Sequence, residues 1–533
     1  MAEATAEQRA AIEHIGNCVI TARPGSGKTF CVVQKINQIQ KTLPSYQGVV
    51  AISFTNKASD ELLDRCRRAG VATNTSFFGT IDKFCLTEIV FKFGAHLEPA
   101  FNVRDFVEKF DDDRARFKIL ESEDLMSNIE ERKLICEVLR SGVISLACIG
   151  RCAFVLMREL PECQKYLTSR YAWIFIDEYQ DCGVYQHRIF RAMVEFGING
   201  CAVGDIDQAI YGFSGKSEKY LVDLANDSVF AHFEITQNWR CDKAITAYSL
   251  KYLGIDVAPV ASSDRRVFEI GIDGDESAIT SCLRKYIPLI CEKYAVDDAS
   301  EVAILASSNI TLDRIASEIG MPFRRYKETP LDRSFSKHCL LWRDLLFMLL
   351  GGVPYAGDFV ASYYGFNDSR ERARLFETVE KLANLQTDEY LSHSNLFESV
   401  SRVCLRANPD VEDSAILIKT LEAPSLLEDA YREKIGGYVN ILTYHKAKGL
   451  EFDVVFCLEL YKHILPRYGY TEIDEKQAVN MFYVGVTRAR KACYIPVGTS
   501  RHNSMGEIKI AIPSPLLTRN GARDLCNRAK WFV

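Results

Sequence analysis

The chain of 533 residues is longer than one hydrophobic core usually serves, so several domains are expected. Its apolar fraction of 47% and charged fraction of 26% exclude a disordered or fibrous chain. A formal net charge of −6 counts against a protein that coats duplex DNA by charge alone, while leaving room for a narrow basic groove.

The N-terminus, MAEATAEQRA, lacks the apolar core of an export signal, and no run approaches the roughly 18 apolar residues of a membrane span. Eighteen cysteines without CxxC spacing fit a reducing cytoplasm and point away from zinc or iron–sulfur sites. Apolar runs then recur in chain order, each followed by a polar turn and a helical pattern. NCVITA precedes a glycine-rich loop and the helix KTFCVVQKINQIQ; GVVAISF precedes TNKASDELLDRCR; WIFIDE and CAVGD follow. Beyond a division near residue 232 come VAILAS, NILT, DVVFCLEL and ACYIPVG. Continuous apolar strands alternating with helices predict parallel sheets covered on both faces. Two helical stretches, 86–165 (VRDFVEKFDDDRARFKIL, IEERKLICEVLRS) and 346–435 (ERARLFETVEKLANL), break the rhythm. The expected fold is α/β, with lobes at 1–85 plus 166–232 and 233–345 plus 436–533, each interrupted by a mainly helical insertion. Arg65, Arg67 and Arg68, and Arg324, Arg325 and Lys327, are candidates for a basic groove or for plain solvated surface.

The loop TARPGSGKT, Thr21–Thr29, has the strand–loop–helix setting of a phosphate cradle. Gly25 and Gly27 flank Ser26 and let backbone N–H groups turn toward phosphates, and the helix N-terminus adds its positive end. Lys28 is placed to reach the β- and γ-phosphates and Thr29 to ligate Mg²⁺; Ala22 stands where the general pattern has glycine. WIFIDEYQD ends a strand on Asp177 and Glu178, the first suited to hold Mg²⁺, the second to orient or deprotonate water. The bland alternatives are a glycine turn and a helix N-cap.

Together with other segments these motifs resemble the UvrD/Rep/PcrA-like superfamily 1 DNA helicases, which implies two RecA-like lobes with ATP between them. Gln8 in TAEQRAAI matches the adenine-reading glutamine, Gln208 in VGDIDQAIYGFSG the γ-phosphate sensor, and Arg240 in ITQNWRC and Arg488 in FYVGVTRAR the two phosphate-facing arginines. Trp239 takes the adenine-stacking place where the family usually has Tyr, and Glu451 in LTYHKAKGLEFDVVF that of the ribose acceptor. Through SFTNKASDEL and FFGTIDKFC, the resemblance implies DNA contacts by Phe54, Thr55, Asn56 and Thr80. It also implies contacts by Tyr211, Phe213, Thr443 and His445. Ser214 replaces a common arginine, Ile81-Asp82 replaces an aromatic–His pair, and both insertions are shorter than in repair helicases, so unwinding is less secure than translocation.

The implied activity is 3′–5′ translocation on single-stranded or partly duplex DNA. About forty residues follow the Arg488 motif, so no fused nuclease is expected. More narrowly, the chain is similar to the helicase subunits of Gabija antiphage systems, whose partner is an OLD-family nuclease with a Toprim centre. A free-standing repair helicase and a nucleotide-gated regulatory subunit are the alternatives.

Overall fold

The computed structural model describes residues 4–533, apart from 54–55, 72, 74, 104, 108, 111, 123–125, 211–217, 328, 335, 352–355, 364–367, 432–435, 468, 470 and 504. Its first sheet is built from β1 (Cys18–Ala22), β2 (Gly48–Ile52) and β3 (Phe77–Gly79). After a two-stranded pair in the first insertion, β4 (Asp105–Val107) and β5 (Val143–Ser145), it takes up β6 (Tyr171–Ile176), β7 (Asn199–Gly204) and β8 (Ala231–Ile235). The strand order is β3-β2-β6-β7-β1-β8, and every pairing is parallel.

Side chains alternate across a strand, so each central strand feeds two cores. Val19, Val50, Ile174 and Ala202 join one; Ile20, Val49, Phe175 and Val203 join the other. Helices Ala6–Glu13, Lys28–Gln40 and Asn56–Arg68 cover the second face. On the opposite face the core passes through helix Val184–Glu195 into the insertion, where Ile135, Leu139, Ile149 and Leu156 are fully buried. The first insertion therefore shares its core with the first lobe.

The second sheet holds β9 (Val267–Ile272), β10 (Val302–Ala306), β11 (Phe323–Arg325), β12 (Val439–Thr443), β13 (Phe452–Cys457), β14 (Ala489–Gly498) and β17 (Asn527–Trp531). A hairpin of β15 (Ser500–His502) and β16 (Ile508–Ile510) stands apart from it. The order is β11-β12-β10-β13-β14-β9-β17, again parallel throughout. Ile304, Ile441 and Phe456 face helices Glu276–Lys293 and Asn309–Glu318, while Leu305, Leu442 and Val455 face Lys243–Tyr252 and Glu472–Val486. The second insertion has a core of its own, centred on Trp342, Leu345, Val379 and Phe397.

Two expected boundaries move. The division at 232–233 cuts through β8, which pairs with β1 along its whole length, so the first sheet runs to Ile235. The boundary at 345–346 cuts helix Lys337–Leu350, which packs with Leu331 into the insertion's core.

Candidate nucleotide-hydrolysis site

Ligands of parallel sheets collect at the carboxyl ends of the strands. Here β6, β7 and β1 are neighbours, and they deliver Asp177, Asp205 and the glycine-rich loop to one edge, within about 10 Å of one another at a spacing of about 4.8 Å per strand. The loop leaves β1 after Ala22 and turns with Gly25 at φ 69° and Gly27 at φ 85°, both left-handed. A Cβ on Gly25 would lie 2.5 Å from the Arg240 Cβ, and one on Gly27 would lie 2.8 Å from Gln8 Nε2. Only glycine keeps this cradle open. Ser26 Oγ donates to Arg23 O (2.7 Å), and Lys28 and Thr29 begin the helix that follows.

Gln8 lies against this loop because a capping box with Thr5 fixes the start of helix Ala6–Glu13. Its carboxamide accepts from Thr5 N (3.0 Å) and donates to Ser26 O (2.9 Å).

Asp177 hangs from the end of β6, with its N–H donating to Ile52 O (2.9 Å) and its carboxylate accepting from Glu178 N (2.9 Å). Burial, then the charge of Glu178, pushes its carboxyl up to about 7. Burial raises Glu178 as well, but Lys28 and then Lys448 outweigh it and hold that carboxyl at about 2. Glu178 adopts φ 54°, unusual for a residue with a side chain, and makes no side-chain capping bond to the turn Tyr179–Asp181. The N-cap alternative thus finds no support in its contacts. Two hard oxygen donors, the Thr29 hydroxyl and the Asp177 carboxylate, beside an open backbone cradle fit a Mg²⁺–nucleotide.

The second lobe closes this edge from the opposite side. Glu451 and Arg488 immediately precede β13 and β14, at the amino ends of its strands. Arg488 is 2% exposed, anchored by its Nε on Val484 O (3.0 Å), and reaches across to donate to Gln208 Oε1 (3.1 Å). Burial, then the charge of Arg240, lowers it to about 10. Lys448 donates to Gln208 O (2.9 Å), forms an ion pair with Asp181, and stands 3.9 Å from Glu178. Asn480 Nδ2 donates to Ala209 O (2.9 Å). Lys448, Asp181 and Asn480 were not singled out from the sequence. Lys448 and Asp181 lie inside quoted motifs, but only the juxtaposition of the lobes shows that they meet.

The segment between the lobes runs over the loop. Trp239 N donates to Gly25 O (2.8 Å) while its side chain stays exposed, and Asn238 Oδ1 accepts from the N–H groups of Arg240 (2.8 Å) and Cys241 (2.9 Å). Arg240 Nε donates to Glu451 Oε2 (2.6 Å), and Glu451 also pairs with Arg490 (3.4 Å). The two expected nucleotide contacts, Arg240 and Glu451, thus face each other.

Of the expected DNA contacts, Thr80 and Thr443 occupy equivalent places at the ends of β3 and β12. Each caps a one-turn helix, Ile81–Phe84 and Tyr444–Ala447, accepting from Lys83 N and Lys446 N (both 3.3 Å). Asp82 lies in the first of these turns and His445 in the second, its imidazole lowered by burial. Phe54, Thr55, Tyr211, Phe213 and Ser214 lie outside the described residues, as does the side chain of Asn56, the first residue of its helix. One basic cluster is corrected. Arg324 and Arg325 are 5% and 2% exposed, the first over the Tyr326 ring and the second bound to Asp313 and Asn309, so they support the second lobe's core rather than a groove. Arg65, Arg67 and Arg68 do end a helix at the surface, with Arg65 and Arg67 paired to Glu61 and Asp64.

Comparison with known proteins gives the AAA domain model over residues 7–214 and the UvrD-like helicase C-terminal domain model over 365–499. Through these two segments the chain is similar to the UvrD-like helicases. It is 24% identical to the Gabija protein GajB of Bacillus cereus (strain VD045), over 93% of this chain and 97% of that protein. It is also 24% identical to a probable DNA helicase II homolog of Rickettsia felis, over 96% and 94% of the two chains. Identity to the ATP-dependent DNA helicase PcrA of Staphylococcus aureus (strain MRSA252) is 22%, over 91% and 82%. Among the described residues, no helix is long and apolar enough to cross a membrane.

Proposed function

We propose that this protein hydrolyses ATP between its lobes and uses the resulting motion to translocate 3′–5′ on single-stranded DNA, in the cytoplasm, beside a nuclease partner in antiphage defence. The observation that carries the motor reading is the Arg488–Gln208 hydrogen bond, which joins the second lobe to the strand end beside Asp205. Catalytic groups drawn from two bodies make hydrolysis depend on closure and product release on opening.

In this reading the loop N–H groups and Lys28 hold the phosphates, and Glu178, kept ionised by Lys28 and Lys448, orients the attacking water and takes its proton. The water oxygen bonds to the γ-phosphorus as the bond to the bridging oxygen breaks, leaving ADP and phosphate. Held by Thr29 and Asp177, Mg²⁺ would draw charge from the β- and γ-phosphoryl oxygens. Gln208 senses the γ-phosphate, and Arg240 and Arg488 offset the charge that develops on it. Gln8 and Trp239 hold adenine and Glu451 the ribose, so nucleotide binding exchanges the Arg240–Glu451 ion pair for contacts to ATP. Thr80, Thr443 and His445, with Phe54, Thr55, Asn56, Tyr211 and Phe213, grip the strand. Similarity to GajB along nearly the whole chain supports the defence role, from which the OLD-family partner is inferred, while the equal identity to a DNA helicase II homolog supports the alternative of a free-standing repair helicase.

The test is ATP turnover with and without single-stranded DNA. DNA should stimulate it, and Lys28→Ala should reduce it by at least a hundredfold; absence of stimulation by any DNA sinks the motor reading. The acidic Asp82 in the turn capped by Thr80 favours a second reading, a nucleotide-gated regulatory subunit. Robust strand displacement by the isolated chain would rule that out.

A further inference from the structure

One face of helix Glu472–Val486 carries much of the seam between the lobes. Lys476, Asn480 and Tyr483, spaced four and then three apart, share that face. Each meets a different part of the first lobe. Lys476 forms an ion pair with Glu218, Asn480 Nδ2 donates to Ala209 O (2.9 Å), and the Tyr483 hydroxyl faces the guanidinium of Arg23. Tyr483 is 1% exposed, so this last contact is shut off from solvent. Arg23 belongs to the phosphate loop, and its backbone is fixed there. Its N–H donates to Ile235 O (3.1 Å), and its carbonyl accepts from Ser26 N (3.2 Å) and Ser26 Oγ (2.7 Å). The carboxylate of Glu234, 3.8 Å from the guanidinium, is largely exposed and holds it only weakly. Asp207 is the second group that Arg23 faces. Burial, then the charge of Asp205, pushes the Asp207 carboxyl up to about 6, against the opposing charges of Arg23 and Lys476.

We propose that Arg23 is a positioning residue: by holding Tyr483 it ties the phosphate loop to the helix that carries Arg488, and so sets Arg488 against Gln208. The inference rests on the ATP-hydrolysing function proposed above and adds a link between the lobes that the loop itself supplies. The connection is short. Arg488 follows directly after this helix, and its Nε is held by the carbonyl of Val484, the neighbour of Tyr483. At the other end, Asp207 precedes Gln208 in the turn that receives Arg488. An arginine suits the place because its planar fork can serve Tyr483 and Asp207 together, which the single point of an ammonium does less well.

ATP turnover on single-stranded DNA and equilibrium binding of ADP with Mg²⁺, both with the full chain, test this. Arg23→Met, which keeps the stem, and Tyr483→Phe, which removes only the hydroxyl, should each lower kcat about tenfold. The Kd for ADP should stay within about twofold of wild type, because the loop N–H groups are untouched. The double variant should be no slower than Arg23→Met alone, and Arg23→Lys should recover part of the rate. If Arg23→Met melts early, Tyr483→Phe and Arg23→Lys carry the test. Wild-type kcat in the folded variants, or losses that multiply in the double variant, overturn the assignment. So does a Kd for ADP that rises as far as kcat falls, since Arg23 would then only shape the loop. Hydrogen exchange separates this from the ATPase reading: ATPγS with Mg²⁺ should protect the turn Ile206–Gln208 in wild type and much less in Arg23→Met. A wild-type chain that shows this difference but never hydrolyses ATP would refute the ATPase reading and leave the link between loop and helix standing.

Discussion

Asn238 closes the turn that carries Arg240 toward the phosphate loop. Its Oδ1 takes two backbone N–H groups, and it would meet a Cβ on Gly25 at 2.6 Å, so the loop and the arginine share one support. Asn238→Ala leaves both donors without that acceptor, at a cost of about 1–2 kcal/mol, and frees the arginine backbone. ATP turnover should then fall about tenfold in kcat with KM little changed, while Asn238→Asp, which keeps the acceptor, should restore most of it; equal rates in all three would show that the turn holds without this side chain. The sequence made Arg240 visible through its motif, but the support was not: a single asparagine carries no periodic signal, and its two bonds appear only once the turn is folded.

At the scale of elements, Thr80 and Thr443 give the two lobes the same device, a threonine cap at a strand's carboxyl end. Thr443→Ala should lower the free energy of unfolding by about 1 kcal/mol in urea melts, and Thr443→Ser should recover it. Should DNA affinity fall in Thr443→Ala but not in Thr443→Ser, the hydroxyl serves the strand as well as the turn; an unchanged melt would remove the cap from the account. Strand legibility follows the same physics. β1, β2, β10 and β13 are buried on both faces and read as continuous apolar runs. β8 alternates as AHFEI at a sheet edge, and β3 and β11 have only three residues, so their patterns are too mixed or too brief to stand out. That is why a lobe boundary was placed inside β8.

At the scale of the whole molecule, Lys448 is a bridge between the lobes. Its side chain is 9% exposed and that of Asp181 only 1%, so neither charge has water to replace the other. Lys448→Met should cost about 3 kcal/mol by leaving the acid buried with less compensation, read as a lower urea midpoint; Lys448→Arg should lose less. A Lys448→Met midpoint equal to wild type would mean that the lobes are not held together through this pair. The sequence by itself determined the α/β class, and it marked out two helical stretches, the glycine-rich loop and the acids of FIDEYQD as candidates, because each is written in a local run of residues. Only the tertiary structure decided where those runs meet. It carried β8 into the first sheet, turned Arg324 and Arg325 inward, set Arg240 against Glu451, and brought Arg488 and Lys448 across to Gln208 and Asp181. Residues separated by hundreds of positions share a site only through the packing of two sheets, and no local pattern encodes that distance.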